Sequence, residues 1–457
     1  MFWAFCPFDW FVESGMKNGN KLKILVVSNL CPPEYEGGFE LSALRNAESL
    51  RALGHEVDLI TSKFRKSFQG ERTDRHFVSR IFRLSTAKDG WALASSFMDG
   101  SSKLDFSFGE LAKQVAIRMA NIGSILGMLQ VSSRNEAAMR GFLSDKEYDV
   151  AYVFGLHMIG TSVIHPLMAK GIPLVYHQGD EWLAAYIFGS PVKHAILTAF
   201  APLRYRRERK IDLSRVVTVS HFMKTRFGEL GFPLDGVSVI HRGFEHATSL
   251  VETTDRYAPP VFLLASRLAL YKGIHIAIRA AETLDAQMPD QPWEMWIAGG
   301  GDPKVVAFFE RMIAELKVEH RVKLLGKLSR DQVIQHMRRS TAFISPSVFD
   351  EPFGNTNIEA MASGAPLIAS RSGAIEEIVV NSESGLIYNR ASHNELASHM
   401  KLILTEPSVA ERLSRRGVER VQNHFLQSEI IRQVEDTLRV AAGVSPDRVE
   451  STSATLR

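Results

Sequence analysis

The sequence predicts an α/β protein built from two Rossmann-like domains that face each other across a cleft, with an inserted helical region in the first. Three observations carry this. The 457 residues exceed what one domain usually holds, about 100–200. Short apolar, β-branched runs alternate with helical patterns in two successive series. A polar stretch from Glu245 to Pro260, ending in Pro259-Pro260, separates the two series.

The elements follow in order. Residues 1–20 read as an extension, aromatic-rich but interrupted by Asp9 and lacking the basic start of a signal peptide. Leu22–Ser28 is a buried parallel strand. A loop with Pro32, Pro33, Gly37 and Gly38 leads to a helix through Leu41, Leu44, Ala47, Leu50 and Leu53, closed by Gly54. Val57–Thr61 is the next strand, which completes a right-handed βαβ unit. Residues 64–148 are read as inserted material with one long helical stretch, 108–143. Strands resume at 150–154, 173–176, 216–220 and 237–240. The first domain is therefore 21–250 and the linker 251–260. The second domain, 261–442, has strands at 261–266, 294–298, 322–325, 342–345 and 366–369, with helices between them. Its last helices have room to cross back to the first domain, and 443–457 is a polar tail.

Composition narrows the function classes. Hydrophobic residues at 45% and charged residues at 23% suit packed domains, not disorder. Lys plus Arg is 54 and Asp plus Glu 51, a formal charge of +3, too balanced for a chain organised around nucleic acid. Cys6 and Cys31 allow at most one bridge, which fits a reducing, cytoplasmic setting. No stretch reaches the ~20 apolar residues of a spanning helix.

Ligands of open parallel sheets bind beyond the carboxyl ends of the strands. Four segments lie there. Gly37-Gly38 precedes a helix and is either a simple turn or an anion cradle. Arg267 and Lys272 follow a strand and are either solvated cations or the neutralising charges of a diphosphate. Gly299-Gly300-Gly301 is a plain loop or a close-approach surface for a flat ligand. The fourth segment, Asp350-Glu351-Pro-Phe-Gly354-Asn355-Thr356-Asn357-Ile-Glu359, places N–H groups at a helix start, with carboxylates on either side. Two carboxylates there suit hydroxyl groups of a sugar and a ribose.

These segments together resemble the retaining glycosyltransferases of family 4, which have the GT-B fold. Glu351 and Glu359 have the family's Glu-x7-Glu spacing. Glu359–Pro366 and Gly373–Val379 resemble the rest of its signature, and the likeness runs from about Lys21 to Phe425. It implies transfer of a sugar from a nucleotide-diphosphate sugar to a glycan, lipid-linked or small-molecule acceptor hydroxyl, with no separate cofactor and no metal. By resemblance, Arg267 and Lys272 contact the diphosphate, Glu351 and His157 the transferred sugar, and Glu359 the ribose. Gly37, Gly38, Gly300, Leu325, Gly354, Asn355, Thr356 and Asn357 complete the donor site. The sequence departs from the family at Arg242-Gly243-Phe244-Glu245, where Asn-Gly-Val-Asp is frequent, and this turn reads as a domain-end feature. The basic run 204–210, with apolar neighbours from 187 onward, is either a solvated helix face or a peripheral contact with the inner membrane surface. A catalytically silent sugar- or nucleotide-binding protein and a nucleotide-sugar epimerase are the alternatives on the same fold.

Overall fold

The computed structural model describes residues 21–33, 38–64, 75–84, 133–181, 183, 206–207, 210–245 and 256–445. The extension 1–20, Gly37, most of the 187–210 segment and most of the 108–143 helical stretch lie outside the described residues.

Two parallel sheets form the framework. The first contains β1 (Lys23–Val27), β2 (Glu56–Ser62), β3 (Val78–Phe82), β4 (Val150–Val153), β5 (Leu174–Gln178), β6 (Val216–Thr218) and β7 (Val237–Val239). Their spatial order is β3-β2-β1-β4-β5-β6-β7. The second contains β8 (Val261–Ala265), β9 (Glu294–Ala298), β10 (Val322–Gly326), β11 (Ala342–Ser345), β12 (Leu367–Ser370) and β13 (Leu386–Tyr388), in the order β10-β9-β8-β11-β12-β13. Each sheet reverses direction of growth beside its first strand, at β1/β4 and at β8/β11. These switch points are where parallel sheets open a crevice for ligands. The strands form because their side chains are buried on both faces: β1 reads Ile-Leu-Val-Val after Lys23, all four fully buried.

The edge strands β3 and β13 are absent from the sequence reading. β3 lies inside 64–148, so part of the presumed insertion belongs to the sheet, and inserted material starts only after Phe82. Its sequence, Val-Ser-Arg-Ile-Phe, is half-buried and mixed in polarity, as an edge position permits. Of the insertion, 133–142 is helical. Asn135 anchors it, exchanging hydrogen bonds with the Arg83 backbone at 2.7 and 2.8 Å and donating to the Ile159 carbonyl at 2.9 Å.

The helices named below are α1 (Gly38–Ala52), α2 (Ile164–Ala169), α3 (His221–Glu229), α4 (Ile274–Gln287), α5 (Pro303–Glu315), α6 (Arg330–Arg339), α7 (Asn355–Ala362), α8 (Ile375–Ile378), α9 (His393–Thr405), α10 (Pro407–His424) and α11 (Gln427–Ala441). α11 leaves the second domain and packs on the first, where Ile430, Ile431, Val434 and Leu438 share a core with Leu44, Ala47, Tyr152 and Val175. The outgoing and returning chains touch. Phe244 N–H donates to the Phe425 carbonyl at 2.7 Å, and Gln427 N–H donates to the Phe244 carbonyl at 3.0 Å. Apolar packing is continuous across this junction through Phe244, Phe353 and Phe425.

Candidate active site

The second domain supplies a preassembled ion pair. After β8 the chain turns through Leu270–Lys272 and enters α4 at Gly273, whose φ is 70°. A Cβ at Gly273 would lie 1.7 Å from the Pro346 carbonyl oxygen, so only glycine fits. This contact presses the Lys272 turn onto the loop after β11, where the amides of Val348 and Phe349 donate to the Tyr271 carbonyl at 3.0 and 3.2 Å. Lys272 Nζ then reaches Glu351 Oε1 at 2.5 Å, and Ser347 Oγ donates to the same oxygen at 2.9 Å. Both charged side chains are about one-fifth exposed, at 24% and 20%, so the pair opens onto the cleft and is not sealed within the core. Lys272, Glu351, Gly354, Thr356 and Asn357 line one small cavity together with Ser266 and Ser347. Ser347 is a contributor that the sequence reading did not assign. Arg267 is exposed directly after β8.

The start of α7 forms the next wall. Gly354 takes φ 96° and gives no side-chain cap. Asn357 N–H donates to the Gly354 carbonyl at 3.0 Å, and the amides of Asn355 and Thr356 are left to face a ligand. The Oδ1 atoms of Asn355 and Asn357 are buried without a hydrogen-bond partner among the described residues. One turn on, Glu359 accepts from Arg330 Nε and Nη2 at 3.2 and 2.9 Å. Gly300 lies exposed two residues past β9, its carbonyl accepting from Leu268 N–H at 2.9 Å, and Leu325 is half-buried in the neighbouring β10. These two belong to the outer half of the sheet, apart from the Lys272–Glu351 cavity.

The first domain faces this wall. Gly38 opens α1, and a Cβ on it would stand 2.4 Å from Asn355 Nδ2 of the other domain. His157, after β4, pairs with Asn29 Nδ2 at 3.0 Å through Nδ1. Asn29 Oδ1 meanwhile accepts from the amides of Met158 and Ile159 at 3.2 and 3.3 Å. Asn29 thus orients the His157 loop, and its only sequence signal is its place just after a strand. His177 is 2% exposed. It stacks on Phe154 at 4.7 Å and pairs with Tyr152 OH at 2.6 Å. Burial, aided by the Arg242 charge, lowers its pKa to about 3, so it is neutral. Arg242 lies in the turn that ends the first domain, as the sequence reading expected, and in addition it reaches the cleft. Its guanidinium lies over Phe39 at 5.5 Å, beside Gly38 and Gly179.

A second set of contacts ties the domains together beside the cleft. Glu377 of α8 accepts from the first two amides of α3, His221 and Phe222, both at 2.8 Å, and pairs with His241 Nε2 at 3.1 Å. Ser220, the N-cap of α3, also donates to the Pro352 carbonyl at 2.6 Å. Burial alone would raise the Glu377 pKa, but His241 and the two amides outweigh it and leave it below the ordinary value.

Comparison with known proteins agrees with this architecture. Residues 37–243 match the family model described as a glycosyl transferase 4-like domain, and residues 252–420 match that of glycosyl transferases group 1. A glycogen synthase of Mycobacterium tuberculosis is 29% identical over 216 residues, which is 46% of this chain and 50% of that protein. The chain thus spans about half the length of that curated relative. An uncharacterized glycosyltransferase of Methanocaldococcus jannaschii is 22% identical over 92% of this chain and 98% of its own. Among solved structures, an Anabaena protein in complex with UDP-glucose superposes with a TM-score of 0.59, at 20% identity, over 92% of this chain and 100% of that one.

Proposed function

We infer, from a chain that belongs to the family 4 glycosyltransferases of the GT-B fold, that its cleft binds a nucleotide-diphosphate sugar and transfers the sugar to an acceptor hydroxyl. The observation that carries this is the Lys272–Glu351 pair beside the uncapped start of α7. Charge develops on the departing nucleotide diphosphate, and Arg267 and Lys272 are assigned to neutralise it. Lys272 is held by one contact to Glu351 and keeps its other N–H groups for phosphate oxygens. Glu351 and His157, from opposite walls, are assigned to the sugar. Glu359, steered by Arg330, is assigned to the ribose. The first-turn amides of α7 are assigned to sugar and phosphate oxygens. Gly38, with Gly37 beside it in the sequence, is assigned to the first-domain side of the donor, and Gly300 and Leu325 are assigned to the base. Neutralisation by side chains leaves no role for a metal, and the donor is the only co-substrate invoked.

Retention at the anomeric carbon follows the family. UDP-glucose, bound in the Anabaena neighbour, is the first donor to test. The acceptor is a glycan, a lipid-linked sugar or a small molecule. No helix among the described residues is long and apolar enough to cross a membrane, so contact with a lipid-linked acceptor would be peripheral, through 187–210.

The test is a thermal-shift series across nucleotide diphosphates and their sugars, followed by turnover of Lys272→Ala and Glu351→Gln. A ligand confined to the folded state raises the midpoint, by an amount that grows with the logarithm of concentration. Both variants should lose about 100-fold or more in turnover while remaining folded. Unchanged turnover in either, or no stabilisation by any nucleotide diphosphate, defeats the reading.

A further inference from the structure

Arg242 follows β7 and reaches the cleft. Its Nη1 lies 3.7 Å from where a Cβ on Gly38 would be, and its Nη2 2.3 Å from the same point on Gly179. Gly179 thus makes room for the guanidinium, which rests in ordinary contact beside Gly38. Its Nε is sealed from solvent and has no hydrogen-bond partner among the described residues. Asp180 and Glu40 attract it and Arg45 repels it. Burial outweighs these and lowers the guanidinium pKa to about 10. From the opposite domain, Asn355 brings its side-chain amide to the same Gly38 position, with Oδ1 also unpartnered. Side chains of both domains therefore converge over Gly38 with hydrogen-bonding capacity the protein leaves unused. Stacking on Phe39 accounts for the position of the guanidinium but satisfies none of its N–H groups. Arg242 is only half-buried, so its guanidinium reaches the cleft while its Nε stays sealed without a partner among the described residues, a geometry that suits a group arriving from outside.

We propose that Arg242 is a ligand-binding residue that holds an oxyanion, a phosphate or carboxylate, over Gly38 beside the first turn of α7. Its planar fork suits two oxygens of such a group. The identity of the molecule that carries the oxyanion rests on the nucleotide-sugar reading: it is either the donor diphosphate or an acidic acceptor.

The experiment is thermal unfolding of the full chain as wild type, Arg242→Met and Arg242→Gln, with and without inorganic phosphate and UDP. Without anion, Arg242→Met should melt no lower than wild type, because it removes a sealed, unpartnered Nε and keeps the packing on Phe39. Arg242→Gln serves the same comparison if the Met variant fails to fold. Phosphate should stabilise wild type and shift the variants much less. A drop in UDP affinity of about tenfold or more in the variants assigns the oxyanion to the donor. Unchanged UDP affinity, with phosphate still stabilising UDP-saturated wild type but not the variants, assigns it to the acceptor. Equal shifts in wild type and both variants overturn the proposal. A wild type unmoved by any nucleotide diphosphate defeats the glycosyltransferase reading alone, and the phosphate comparison still decides the role of Arg242.

Discussion

A Cβ placed on Gly373 would stand 2.1 Å from the Glu351 carbonyl oxygen and 2.5 Å from its nitrogen, at a φ of 54°. The backbone of Glu351 is therefore gripped by a glycine 22 residues further on, and the Ala374 amide adds a bond to its carbonyl at 3.0 Å. Gly273 plays the same part for Lys272. Gly373→Ala should lower stability by about 2–4 kcal/mol, combining backbone strain with a clash that only backbone movement relieves. Chemical denaturation measures this. Turnover should fall further than stability explains, because Glu351 moves with its backbone. At this scale much was legible in sequence. Lys272, Glu351, Gly354, Thr356 and Asn357 were named from residue type and spacing, and they meet in one cavity. Arg242 and Asn29 were not legible as site residues. Their importance lies in which groups surround them, and the nearest of those are distant in the chain.

The helix α3 begins in the first domain and is capped from the second. Ser220 supplies the local cap through Met223 N–H at 3.1 Å, and Glu377 takes the remaining two amides. An anion at a helix start is favoured both by the free N–H groups and by the dipole. Glu377→Ala should cost about 1–3 kcal/mol, the range for losing a cap and a charged hydrogen bond. The pH dependence has a definite sign. The native pKa of Glu377 lies below its ordinary 4.5. Its contribution is complete above about pH 4.5 and is lost as pH falls through the lower native value. Stability curves of wild type and Glu377→Ala should therefore converge on the acid side of pH 4.5 and stay parallel above it. Curves that stay apart at low pH would show that the carboxylate charge is not what holds α3. At the scale of elements, buried strands were visible as apolar runs, whereas β3 and β13 were not. β3 is buried only at Phe82, and β13, though buried throughout, is three residues long, so both carry short or weak patterns.

The two-domain plan was readable because each sheet must bury a continuous apolar face, and the linker interrupts that patterning. How the domains hold each other was not readable, since pairs such as Glu377 with His221 or Phe244 with Phe425 leave no periodic trace. α11 is the largest of these ties. Ile430, Ile431, Val434 and Leu438 are nearly fully buried against the first domain. At about 1.5–3 kcal/mol each, they rival the whole net stability of a typical domain, about 5–15 kcal/mol. Ending the chain at His424 should therefore leave the first domain unfolded or bound to apolar dyes at temperatures where the full chain is native. A first domain that melts unchanged would show α11 to be dispensable.

The chain passes between the domains twice, and the two passes are bonded to each other at Phe244 and Phe425–Gln427. A single tether would act like a ball joint and let one half swivel in any direction. Two tethers fastened side by side act like the pins of a door. They leave one axis of rotation and suppress twisting about the line joining the halves. A rotation about such an axis would return Gly38 and Asn355 to the same meeting point, so that the two walls of the cleft would come back into register without having to search for it.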